Sequence, residues 1–263
     1  MPHNEGQLAD RMKGYEQAAR TTFPRRMPLI VRVDGKAFSK LTSELKKRGQ
    51  PFNAPFVEVM NEVARALCEH IQGAQLAYVQ SDEISVLVHG YKKFESSPWF
   101  DNQALKIVSV SAGIASAEFT ARSHRLFGDA PSGFPFRVRP AYFDSRAFVL
   151  PEHDVANYFL WRQQDATRNS VQMLARSHFS HKECDGKSCE MMKVMLSEKS
   201  VKWDDLPGGL RRGRVVVKRP EEHSINVQGE IRRIMRSGWC VEDAPTFSQD
   251  RGFFDLMLKT EDE

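Results

Sequence analysis

The chain has 263 residues, 41% of them hydrophobic, 27% charged and 10% aromatic. That composition is ordinary for a globular protein and excludes a collagenous, coiled-coil or disordered chain. Thirty-eight basic against 34 acidic residues leave a net charge of +4, which permits an anionic partner without demanding one.

No apolar run approaches the ~20 residues of a membrane helix. The start, MPHNEGQLADRMKGYEQ, is polar, helix-like and unlike a signal peptide. Four cysteines then fit free thiols in a reducing compartment, so the expected location is cytoplasmic. Residues 28–34, PLIVRVD, are short, β-branched and bounded by Pro and Gly, and predict a buried strand. Pro55 opens a helix with Phe56, Val59, Met60, Val63, Leu67 and Ile71 on one face, ended by Gly73. Strands follow at 75–80 and 83–89, with only Ser81 and Asp82 between them, which predicts a tight hairpin.

Residues 102–122 are Ala- and Ser-rich, with Leu105, Val108, Ala112, Ala115 and Phe119 on one predicted helix face. Loop residues crowd 128–140, and 142–150 reads as a strand stopped by Pro151. The order is βαββαβ, which predicts an α+β, ferredoxin-like antiparallel sheet with both helices on one face. Helices are expected at 155–178 and 189–196, and a further strand at 214–218. The expected organisation is a palm-like region over 1–150 and a helical and mixed C-terminal region over 151–263, joined as one compact unit.

The acids sit where chemistry can happen. Asp34 ends the first strand before Gly35, a residue that lets a backbone approach a ligand closely. Asp82 lies at the hairpin, and in this topology the first and third strands are neighbours, so Asp34 and Asp82 come together. Two such carboxylates suit Mg²⁺, which takes hard oxygen ligands and leaves room for waters and phosphates. Glu83 follows Asp82 and points to the opposite side in extended chain, which makes it a supporting acid rather than a direct ligand. Asp is also a common turn former at strand ends, and that reading stays open at this point.

Four segments stand in order: RVDGKAF at 32–38, QSDE at 80–83, YFDSR at 142–146 and WRQQD at 161–165. Together they resemble the tRNA-His guanylyltransferase family, most closely its tRNA-guanylyltransferase-like members, which are 3′–5′ RNA polymerases. GKS at 186–188, Glu190, Met195, Leu196, Trp203, Arg212 and Gly213 extend the resemblance over residues 10–250. The resemblance implies a polymerase-like palm, two Mg²⁺ ions, and tRNA with GTP, ATP or other nucleoside triphosphates as partners. It also implies a homotetramer.

For metal binding it implies Asp34, the carbonyl of Gly35, and Asp82. For the nucleotide it implies Asp34, Gly35, Lys36, Ala37, Phe38, Ser39, Ser81 and Asp82. The catalytic acids are then Asp34, Asp82 and Glu83, and Lys46 or Lys47 stands near the family's triphosphate-binding base. Members acting on tRNA-His carry His-Ile-Asn-Asn after the WRQxD segment, whereas this chain has Thr167, Arg168, Asn169 and Ser170. That departure favours template-dependent repair of 5′-truncated tRNA after ATP or GTP activation of the 5′-phosphate. The alternative is addition of the extra 5′ G to tRNA-His. A palm-type nucleotide cyclase and an inert tRNA-binding module are more distant readings.

Arg211, Arg212, Arg214, Lys218 and Arg219 form a basic run without an intervening acid, read either as a solvated surface or as an RNA-backbone contact made by Arg211, Arg212 and Arg214. His178, His181, Cys184 and Cys189 are ligating types, but their spacing matches no common zinc motif. Trp99, Trp161, Trp203 and Trp239 are read first as core and second as base-stacking residues.

Overall fold

The computed structural model describes residues 3–38, 52–93, 95–127, 140–227 and 230–260. Its first half runs α1 (His3–Ala18), β1 (Leu29–Gly35), α2 (Ala54–His70), β2 (Ala74–Gln80), β3 (Glu83–Val88), α3 (Ala104–Phe127) and β4 (Phe143–Val149). The second half adds α4 (Glu152–His178), α5 (His181–Cys184), α6 (Cys189–Glu198), α7 (Gly208–Arg212), β5 (Arg214–Val227), β6 (Glu230–Asp243) and α8 (Asp255–Leu258).

The strands form one antiparallel sheet in the order β4-β1-β3-β2-β5-β6. Its first four members stand as the βαββαβ pattern predicts. α2 starts where Asn53 caps it: the Asn53 side chain accepts from the Phe56 N–H at 2.9 Å, and Pro55 sits in the first turn, where no N–H is needed. α2 and α3 lie on one face of the sheet. There Val31, Val33, Ile84 and Val86 pack with Val59, Met60, Val63, Leu67, Ile107 and Phe119.

The inward face of α3 differs from the predicted one. Leu105 is 60% exposed, and the buried positions are Ile107, Ser111 and Ser123 together with the expected Ala115 and Phe119. Ser111 is tolerated inside because its hydroxyl donates to the Ile107 carbonyl at 2.7 Å and pairs with Ser145 at 2.8 Å. Over Ala104–Arg125 this helix matches a membrane span in length and apolar composition, with a mean hydropathy of 1.2. In this fold it packs on α2 and β4.

The opposite face of the sheet is covered by the C-terminal half. Ile30, Leu76, Tyr78 and Leu87 pack there against Val155 and Phe159 of α4 and against Phe247 and Phe254. The helices of the βαββαβ unit therefore keep to one face, while the extension supplies the second layer. A third cluster joins the end of α4 to α6 through Val171, Leu174, Cys184, Met192, Leu196 and Trp203.

β5 pairs with β2 only over 214–217; from 218 onward its partner is β6, so the two strands run on as a two-stranded arm. The expected strand at 214–218 is thus the root of a much longer one. β6 carries no period-two signal because Ile231 and Met235 are exposed alongside Arg233 and Arg236, which removes the inside-outside alternation.

Candidate active site

The end of β1 is flanked by acids on both sides. Asp34 stands opposite Glu83 of β3 and opposite Asp144 of β4. Directly paired residues of an antiparallel sheet share a face, so the three side chains project together. They share the face of Ile30 and Leu87, the one that α4 covers.

Asp82 joins them from the hairpin: its carbonyl accepts from the Gly35 N–H at 3.1 Å. The loop between β2 and β3 is two residues long, and Ser81 takes φ 48, the left-handed value that primed hairpin turns require. Ser81 is exposed and Asp82 half-buried at the tip.

Burial raises the Asp34 carboxyl above its ordinary range, and the Asp144 charge raises it further; Arg32, Arg146 and the Gly35 N–H pull it back. Burial also raises Glu83, while Arg162, Arg32 and Gln80 oppose it. Glu83 is therefore a paired acid. Arg162 Nε lies 2.9 Å from its Oε1, a close ion pair without hydrogen-bond alignment. Arg32 stands 4.0 Å from its other oxygen. The remaining reach of Arg162 is spent on Asp165, to which it donates at 2.6 Å. Asp165 is bound by Arg168 as well.

Asp34 has no such counter-ion within salt-bridge distance among the described residues, and a neighbouring acid worsens its position. A cation of hard character would relieve it. Among the described residues no three His, Cys, Asp or Glu side chains converge into a metal cage. Mg²⁺ binds through one or two carboxylates and completes its shell with waters and substrate phosphates. The residues expected to bind Mg²⁺, Asp34, the Gly35 carbonyl and Asp82, stand at the end of β1 and on the adjoining hairpin.

Around this centre, Lys36 and Ala37 form a turn in which Ala37 takes φ 59. The Lys36 N–H is spent on the Tyr142 carbonyl at 2.8 Å. Phe38 is buried among Phe56, Phe119 and Phe143, with ring centroids 6.3, 5.0 and 5.0 Å away. Gly35 makes room for that ring, because a Cβ there would lie 2.5 Å from it. The side of Gly35 on which a Cβ would stand is thus filled by the Phe38 ring. Ser39, Lys46 and Lys47 lie outside the described residues.

The basic run divides between interior and surface, with Arg214 buried and Lys218 and Arg219 exposed. Arg214 is buried: it donates to Asn61 at 2.6 Å and to the Gly209 carbonyl at 3.2 Å, and desolvation lowers its guanidinium to about 10. It is a structural residue, not an RNA contact. Arg219 is held bidentately by Glu242 at 2.7 and 2.8 Å, and Lys218 lies 5.0 Å from the Trp239 ring centre. Arg211 reaches Asp204 at 3.3 Å. Arg212 offers its carbonyl to Tyr78 at 2.7 Å.

Ser170 is also internal. Its hydroxyl donates to the Thr167 and Arg211 carbonyls and accepts from the Trp203 indole at 3.0 Å. Thr167 is half-buried one turn earlier. Cys184 is buried in the third cluster; Cys189 begins α6, and His178 ends α4.

Asp144, Arg32 and Arg162 are site residues that were not assigned from sequence. Asp144 was within reach, since the βαββαβ order makes β4 a neighbour of β1. Arg162 was not, because nothing local says which face of the sheet α4 covers.

Residues 9–151 match the Thg1 family, described as tRNAHis guanylyltransferase. A bacterial tRNA(His) guanylyltransferase (Thg1)-like protein solved in complex with ATP is 37% identical; the match covers 95% of this chain and 98% of that one, with a TM-score of 0.80. A structure of a protein so named in complex with GTP is 36% identical over 96% and 99%, with a TM-score of 0.73. The tRNA(His) guanylyltransferase of Saccharomyces cerevisiae is 23% identical over 77% of this chain and 87% of its own length.

Proposed function

Because the chain belongs to the tRNA-His guanylyltransferase family and is a nucleotidyltransferase, we propose that it adds a guanosine nucleotide to the 5′ end of tRNA-His. The observation that carries the chemistry is Asp34: a half-buried carboxylate at a strand end, crowded by Asp144 and adjoined by the Asp82 hairpin. The names of the matched relatives support tRNA-His as substrate over general repair of truncated tRNAs. Ser170, one of the two positions where the chain departs from the pattern of tRNA-His members, is buried and engaged with Trp203.

On this reading the 5′-monophosphate oxygen of the RNA attacks the α-phosphorus of ATP or GTP and pyrophosphate leaves. The 3′-hydroxyl of GTP then attacks the RNA 5′-phosphorus and the activating nucleoside monophosphate leaves. Both steps are in-line displacements at phosphorus, where positioning and charge stabilisation dominate. Asp34, Asp82 and the Gly35 carbonyl would hold Mg²⁺, which when bound neutralises phosphate charge and lowers the pKa of an attacking hydroxyl. The Gly35 and Lys36 N–H groups are already committed, so backbone contacts to phosphate begin at Ala37. Glu83 stands across from Asp34, held by Arg162 and Arg32.

The test offers α-labelled GTP and Mg²⁺ with full-length tRNA-His lacking the extra nucleotide, and separately with 5′-truncated tRNAs, then sequences the 5′ ends. Label on tRNA-His that disappears with EDTA is expected. Extension of truncated tRNAs by template-matched bases, with tRNA-His untouched, would replace this reading with repair. No incorporation into any RNA would refute both.

A further inference from the structure

Four tryptophans divide sharply by environment. Trp99 and Trp203 are buried, and Trp239 packs partly on the core beneath Lys218. Trp161 alone of the four counts as exposed, with 53% of its surface in solvent. A half-exposed indole keeps ring surface available to a stacking partner.

The ring is also held still. The Arg162 guanidinium lies 4.2 Å from the ring centre, and Tyr158 meets it edge-on at 6.0 Å and 61°. Arg162 is itself 7% exposed and fixed by Glu83 and Asp165; Tyr158 is fixed by Ser85 at 2.9 Å. One side of the indole is therefore backed by a buried cation, while the solvent-exposed part of the ring is left for a partner. The backing cation also ion-pairs Glu83, the residue directly across from Asp34. Trp161 thus stands one side chain removed from the carboxylate cluster.

Arg146 lies on β4 two residues beyond Asp144, so it shares that face; its side chain is 58% exposed and stands 3.8 Å from the Asp144 carboxylate. Single nucleic-acid strands are held by aromatic rings on which bases stack, with cations on the same surface pairing the phosphates, and α4 carries Trp161 over the sheet face to which Arg146 belongs.

We propose that Trp161 is a stacking platform for a nucleobase at the acceptor end of the RNA substrate, a reading that rests on the function proposed above. Direct binding and steady-state kinetics test it together. With an acceptor-stem RNA bearing a 5′-monophosphate, tryptophan fluorescence should fall on titration, and Trp161→Phe should lose most of that change while still binding RNA. Trp161→Ala should raise KM for the RNA about 5- to 150-fold, the range that stacking on one base spans.

KM for GTP and for ATP should stay within about twofold of wild type, and Trp161→Tyr should hold KM for the RNA within about threefold. Trp161→Leu keeps apolar packing beside Arg162 and should behave as Trp161→Ala does; it decides the matter if the alanine variant is poorly folded. A shift in KM for GTP instead of RNA would overturn the proposal and assign the ring to the incoming nucleotide. Equal loss in the Tyr and Leu variants would also overturn it, leaving only a packing role. The titration needs no turnover, so absence of nucleotide transfer would count against the proposed function and leave the stacking result readable.

Discussion

Alternate residues of the same strands build two interiors of different character. In β1, Leu29, Val31 and Val33 face α2 and α3, while Ile30, Arg32 and Asp34 face α4. In β3, Ile84, Val86 and Val88 belong to the first set, and Glu83, Ser85 and Leu87 to the second. The first interior is mostly apolar, its buried polar groups including Asn61 with Arg214 and Ser111 with Ser145. The second is apolar only along half its length and becomes a network of acids and guanidinia near the hairpin. The lesson is a division of labour by pleat: one face contributes burial energy, so the other can carry groups that burial disfavours.

Asp34→Asn tests that division most strongly. It should lower turnover at least about 1,000-fold, roughly 4 kcal/mol of barrier, yet raise the melting temperature at pH 7. The folded carboxyl titrates above the ordinary value of 3.8, so the folded state binds its proton more tightly than the unfolded chain does. The ionised side chain therefore opposes folding at neutral pH, and that penalty is relieved as pH falls through the folded pKa and is gone below 3.8. The stability gain of the variant should shrink over the same window. A variant less stable than wild type at pH 7 would show that Asp34 is an ordinary structural acid.

Arg162→Met sharpens the comparison on the charged side. It leaves Glu83 buried with only Arg32 nearby, and should destabilise by about 4 kcal/mol in a denaturant titration. Adding Glu83→Gln should recover part of the loss, because the unpaired charge goes with it. Additive losses in the double variant would break the claim that the two act as a pair.

Leu67→Ala probes the apolar side, at the end of α2 far from the hairpin. Leu67 is fully buried, and the expected cost is about 3 kcal/mol. Turnover per folded molecule should stay within about twofold. A fall in turnover comparable to that of Asp34→Asn would mean the two faces are not separable.

Much of this arrangement is legible in the chain. The βαββαβ order follows from periodicity and from the two-residue gap at Ser81 and Asp82, and it is enough to bring Asp34 beside the hairpin. What escapes is non-local. Arg214 reads as surface because charged residues usually are, yet its partner Asn61 is 153 positions away. The role of Arg162 depends on which face α4 covers, which its own apolar stripe does not specify. β6 escapes for the opposite reason: an arm wetted on both sides has no buried face to write a pattern.

The pairing of β2 with β5 gives the fold a seam that chain order conceals. A polypeptide ended after β4 would contain every acid of the candidate site and all four strands of the expected palm. It would also present Ile30, Leu76, Tyr78 and Leu87 to water, with the backbone of β2 open along its outer edge. An uncapped edge beside a bare apolar surface is a template for indiscriminate strand addition. Such a fragment should be recovered as aggregate rather than as a miniature enzyme, so a shortened version for engineering would have to retain α4 and β5 before it could be soluble.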